Sequence, residues 1–220
     1  MTKTLLLAAI IALASTLSAT AQDSGTTAGP NLVAPGNPAH AQFDTSYRPS
    51  PTVSARLQRE FLNRIRWSAG VAVRDSLAQA FAEKSPVDIW LELVAADGLE
   101  ANNVADALTA YWVLNWVAAN GAYESEIDNA PIQRQLRIAF ANDANFLKMG
   151  DQQRQELAEG YILDFLVEHA ALNAAVEQRN TELLTRIGTA AALRFRQKMN
   201  VDLLALIPGP EGFEAKAASE

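Results

Sequence analysis

The stretch GLEANNVADALTAYWVLNWVAANG, residues 98–121, limits the fold more than any other part of the chain. From Ala107 to Tyr123, 17 residues pass without a charge, yet they include two tryptophans and two tyrosines. At about 100° per residue, Val104, Leu108, Tyr111, Leu114 and Ala118 share one helical face. Trp112 and Trp116 share a second face, and Val113 and Val117 a third. A helix that is apolar nearly all round lies either in lipid or in the middle of a protein. The lipid option is the weaker one. The run is at the lower length limit for a span, it contains Thr109, Asn115 and Asn120, and no basic residues flank it. The stretch is therefore expected to be the central helix of a packed domain, capped by Asn103 and stopped by Gly121.

Other segments carry narrower apolar stripes. Val53, Leu57, Phe61 and Ile65 step by four, as do Val73, Leu77 and Phe81, with Gly70 marking a bend between the two runs. In SPVDIWLELVAADG, Ser85 suits a cap, Pro86 the first turn and Gly98 the end. Further helices are expected over 130–141, over 151–178 with Leu157, Tyr161, Phe165, Leu172 and Val176 inward, and after Asn180 with Leu184, Ile187, Ala191 and Phe195 inward. No alternating run calls for a strand. The fold expected is all-α: a single-domain bundle of about six to seven helices over residues 51–213. A proline- and glycine-rich flexible lead-in, 22–50, precedes it, and a frayed tail, 214–220, follows.

The first residues, MTKTLLLAAIIALASTLSATAQ, have the parts of a secretory signal peptide: Lys3, an apolar run and an Ala19–Ala21 end of small residues. Residues 1–21 are accordingly expected to be removed. The mature chain then has 17 basic and 25 acidic residues, a net charge of −8. Such a balance argues against nucleic acid as a partner. The chain has no cysteine, so its stability rests on an apolar core without disulfides. Export is expected, to the periplasm if the source is a Gram-negative bacterium, with no membrane span in the mature chain.

Candidate site residues follow from burial. Asp106, the one charge in the central helix, fits the third helical position after Asn103, where a carboxylate meets the positive end of the helix dipole. Its sharper alternatives are a desolvated acid paired with an arginine from the first helices, or a site acid. Asn115 on a buried face must either bond a neighbouring helix or face a pocket, because an unpaired buried amide costs about 1–3 kcal/mol. Asp106, Tyr111, Trp112, Asn115 and Trp116 are thus the candidates for a ligand wall. Six arginines stand between Arg48 and Arg74 against one acid, Glu60, which makes that segment +5 and the remainder −13. Arg56, Arg59 and Arg66 are the candidates for meeting an envelope protein or an anionic lipid headgroup.

Conventional chemistry finds little support. His40 and His169 are the two histidines, and neither follows a Glu-x-x pattern of carboxylate-bridged metal bundles. No metal site and no cofactor are implied, and no nucleophile elbow or phosphate loop is present.

The 98–121 block, with YRPSP upstream, DQQRQELAEGYI and a closing DLLAL…GF, resembles a family of exported bacterial proteins known only as a domain of unknown function. The resemblance covers about residues 47–213, and the family pattern has an acid where this chain has Asn103. It implies export and a helical domain, and no activity. Three functional readings stand: a non-enzymatic protein-binding module of the cell envelope, a carrier or sensor of a small apolar or lipid ligand, and an envelope hydrolase using two carboxylates.

Overall fold

The structure, a computed structural model, describes residues 31–33 and 37–217. The leader expected at 1–21 lies outside the described residues, as do residues 22–30 and 34–36 of the lead-in and the last three residues of the tail. Seven α-helices form among the described residues: α1 (Pro51–Ala69), α2 (Val71–Glu83), α3 (Pro86–Val94), α4 (Val104–Asn120), α5 (Asn129–Ala141), α6 (Asp151–Glu177) and α7 (Thr181–Met199). The fold is all-α in class, with one two-stranded addition at its end.

Local chemistry sets the helix ends. The Ser85 side chain accepts from the Asp88 N–H, and Asn103 Oδ1 accepts from Ala105 N–H at 3.0 Å. Gly70 takes φ +93° between α1 and α2, and Gly121 takes φ +65° after α4, a left-handed conformation natural to glycine. Asn180 caps α7 through the Leu183 N–H at 3.0 Å.

α4 is the central element. It packs on α5, α6 and α7, and most of its residues are buried, including Asp106, Thr109 and Asn115. α7 crosses it closely because Gly188 has no side chain: a Cβ there would lie 2.5 Å from the Ala118 carbonyl oxygen. α1 and α2 form a hairpin, and α1 leans on α6. Among the stripes read from the sequence, Val53, Phe61, Ile65, Ile187, Ala191 and Phe195 are buried as expected. Val176 is not; it is 39 % exposed at the end of α6.

Two differences from the sequence reading concern the ends of the domain. Contacts with the helical domain extend upstream of Pro51. Leu32, Thr45 and Tyr47 are buried, and Thr45–Tyr47 pairs with the turn before α4 through Tyr47 N–H to Asn102 O, 3.0 Å, and Val104 N–H to Thr45 O, 3.1 Å. A single backbone bridge has no apolar period, so periodicity could not find it. At the other end, Leu206–Gly209 (β1) and Gly212–Ala215 (β2) form an antiparallel hairpin, where no strand was expected. Glu214 and Ala215, assigned to the frayed tail, are its last residues. The hairpin is held by side chains of other elements. Gln135 of α5 brackets Phe213, accepting from its N–H at 2.8 Å and donating to its carbonyl at 2.9 Å, and the Trp116 indole donates to Leu206 O at 2.9 Å.

Candidate functional site

Asp106 is 1 % exposed in the first turn of α4. Its Oδ2 accepts from the Glu100 N–H at 2.9 Å, and its Oδ1 meets Arg137 Nη2 at 3.3 Å. It therefore ties the turn preceding α4 and α5 together. The reading as an acid serving only its own helix end is too narrow, and the arginine comes from α5 rather than from the first helices. Burial raises its pKa above the usual carboxylate value, while the Glu100 N–H and Arg137 pull the other way.

Asn115 answers the question its burial raises. Its Nδ2 donates to Tyr111 O, one turn back, at 2.8 Å, and its Oδ1 accepts from Arg194 Nη2 of α7 at 2.7 Å. Arg194 also pairs with Glu168 of α6 at 2.7 Å. The Tyr111 hydroxyl points at the same Glu168 at 3.4 Å, and its ring lies between Tyr161 and Phe195 with both centroid separations 5.6 Å. Asn115, Tyr111, Glu168 and Arg194 thus form a polar junction joining α4, α6 and α7. Burial pushes the Glu168 carboxyl up to about 7; Arg194 opposes this, and Asp164 adds to it.

The tryptophans are packed inside the domain. Trp112 is wholly buried and Trp116 nearly so. Phe213 of the hairpin fills the space beside both, with centroid separations of 4.8 and 5.7 Å. Among the five ligand-wall candidates, then, Asp106, Tyr111 and Asn115 make interhelical polar contacts, and Trp112 and Trp116 pack against a side chain of their own chain.

The arginine segment divides in two. Arg56 bridges Glu60 on its own helix and Glu156 on α6, Arg64 pairs with Asp164 at 2.6 Å and Arg74 with Asp75 at 2.9 Å. Arg56 is therefore engaged in holding α1 to α6 and leaves the set of free cations. Arg59 and Arg66 are exposed on the outer face of α1, and neither has a carboxylate partner among the described residues. Beside them stands Trp67, 84 % exposed, with the Arg66 guanidinium 5.7 Å from its ring centroid. The sequence reading passed over Trp67. Its signal was present, since it falls outside the Val53–Ile65 stripe, about 100° from the stripe's centre on the same wheel.

Other buried polar groups have internal roles. Gln155 and Glu159 of α6 meet Ser50 and Ser54 at the start of α1, with Ser54 Oγ 2.7 Å from Glu159 Oε1. His169 is stacked on Phe165 and bonded to Asn173 at 3.2 Å, and burial lowers its pKa. Among the described residues no group of three metal-ligating side chains comes together, and no helix is long and apolar enough to cross a membrane.

These features define a helical bundle whose buried polar residues hold helices together and whose first helix carries an exposed indole beside two arginines without an acidic partner among the described residues. The chain belongs to a family of unknown function, DUF6683, whose model matches residues 2–206. The match begins upstream of the 47–213 span of the resemblance and stops where β1 starts, so Phe213 lies beyond it. No curated protein and no solved structure matched the chain.

Proposed function

We propose that this protein is an exported, non-enzymatic helical module that binds another envelope protein through the outer face of α1. The observation that carries the reading is Trp67, 84 % exposed beside two arginines that have no acidic partner. Tryptophan and arginine are the side chains most enriched where interfaces draw their binding energy. An exposed indole on a monomer gains nothing from water and gains much from a partner's pocket. Arg59 and Arg66 stay without an acidic partner among the described residues on a chain that is otherwise strongly acidic, which favours a partner presenting an acidic patch and orients its approach. The polar residues of α4 are engaged internally, which draws support away from a ligand wall at Trp112 and Trp116. The Lys3-initiated apolar leader ending at Ala21 supports export.

Photocrosslinking in the source cell tests the reading. A crosslinking residue at position 67 is expected to trap one discrete protein adduct, whereas the same residue at Leu147, also exposed, traps none. The recovered chain should begin at Gln22. Equal adducts from both positions, or none from either, contradict the reading. Flotation with phosphatidylglycerol vesicles separates a protein partner from an anionic lipid headgroup: a protein partner leaves the purified chain unbound.

A further inference from the structure

α4 is buried on every side but one. Val113, Leu114 and Val117 are its only half-buried residues before the last turn, and they fall on a single stripe. Leu114 thus joins the valine face, not the face of Val104 and Leu108. No helix among the described residues covers this stripe. It forms the floor of a cleft of about 280 Å³ bounded by α3, α6 and the loop from Tyr123 to Asn129. The cleft uses no residue of α1, so it is independent of the proposed partner face.

The walls restrict what fits. Phe165 and His169 present rings stacked within 13° of parallel at 5.2 Å, and Tyr123 adds a third ring. The lining holds one carboxylate, Asp97, and no lysine or arginine. Asp97 has no ion-pair partner among the described residues, and burial disfavours the charged form of His169. An anion entering this cleft meets a carboxylate and no compensating cation, whereas an amine meets Asp97 in a lining that includes Tyr123, Phe165 and His169. The volume exceeds the roughly 150 Å³ that accepts a benzene ring in an engineered cavity, so a one- or two-ring compound fits.

We propose that the cleft over Val113, Leu114 and Val117 binds a flat, apolar-bodied ring compound bearing an amine, and that it rejects carboxylates and phosphates.

Tryptamine, indole and indole-3-acetate make a charge series on one ring. Methyl-labelled NMR of the full mature chain reads their binding at Val113, Leu114 and Val117. Tryptamine should bind tightest and indole-3-acetate weakest, with shifts confined to those methyls and the rings around them. Asp97→Asn should bring tryptamine down to the level of indole, a loss of about a few-fold as expected for a partly exposed ion pair. Val117→Phe should fill the cleft and abolish binding, with circular dichroism reporting whether the fold survives; Asp97→Asn, on the surface, keeps the test sound if it does not. The proposal is overturned if no probe shifts these methyls at millimolar concentration, if indole-3-acetate binds as well as tryptamine, or if Asp97→Asn leaves the order unchanged.

Discussion

Phe213→Ala is the most informative single change to this fold, because it removes a core side chain from a segment with no helical pattern. Phe213 is 1 % exposed and lies against Trp112 and Trp116, with centroids 4.8 and 5.7 Å away. A buried aromatic side chain removes roughly 150–250 Å² from water. At about 25 cal/mol per Å² this is about 4–6 kcal/mol. Alanine keeps part of that area and leaves a void, so the expected loss is about 3–5 kcal/mol. For a chain of this size it amounts to a fall of roughly 6–20 °C in Tm. The Gln135 bonds to the Phe213 backbone do not depend on the side chain, so the hairpin keeps its anchor and the loss reports packing. Urea melts followed by circular dichroism give the stability, and tryptophan emission should shift to the red in the folded state. A loss under about 1 kcal/mol, with unchanged emission, refutes the placement of the hairpin as the cover of the two tryptophans.

Three further changes probe the helix junctions. Gly188→Ala places a methyl 2.5 Å from the Ala118 carbonyl oxygen, a backbone atom that cannot rotate away, and should destabilise by about 1–3 kcal/mol in a thermal melt, although alanine is the better helix former. Asn115→Ala removes one of the two acceptors of Arg194 and should cost about 1–3 kcal/mol in urea; a neutral outcome shows that Glu168 alone satisfies Arg194. Glu168 supplies a pH test. Its carboxyl is held at about 7 when folded against an ordinary 4.5, so the folded chain binds its proton more tightly than the unfolded one. That stabilisation is complete below about 4.5 and is lost as pH rises through about 7, up to about 3 kcal/mol in all. Glu168→Gln should therefore lose less stability than the wild type between about pH 5 and about pH 8, and parallel curves contradict the assignment.

The helical plan was legible because its signals are local. Ser85, Asn103 and Gly121 mark ends through the chemistry of their own neighbours, and the wheel of α4, with Asp106 its one charge, leaves no polar face. Burial of Asn115 and Asp106 follows from the same wheel. Their partners do not. Arg194 lies 79 residues from Asn115 and Arg137 lies 31 from Asp106, and nothing in either segment says which of the chain's many arginines it meets. The hairpin was hidden for a similar reason. Four-residue strands have too few positions to show alternation, and these two are placed by Gln135 and Trp116 from elsewhere. Trp67 could have been found, since a tryptophan outside the apolar stripe is visible on the first helix's own wheel. The open side of α4 could not, because the wheel is as apolar at Val113 and Val117 as at Leu108, and only the course of α3 and α6 leaves it uncovered.

The central claim is that the outer face of α1 carries the partner contact while the polar residues of α4 only hold the fold. Arg59→Glu combined with Arg66→Glu reverses the charge of that face and touches no residue of the core. The direct measurement is the yield of the crosslinked complex in the source cell for this double variant, beside Asn115→Ala at matched protein levels. The account predicts that the complex is lost in the charge-reversed variant, whose Tm is unchanged, and is kept in Asn115→Ala, whose Tm falls. A complex that survives the charge reversal and disappears with Asn115→Ala contradicts it.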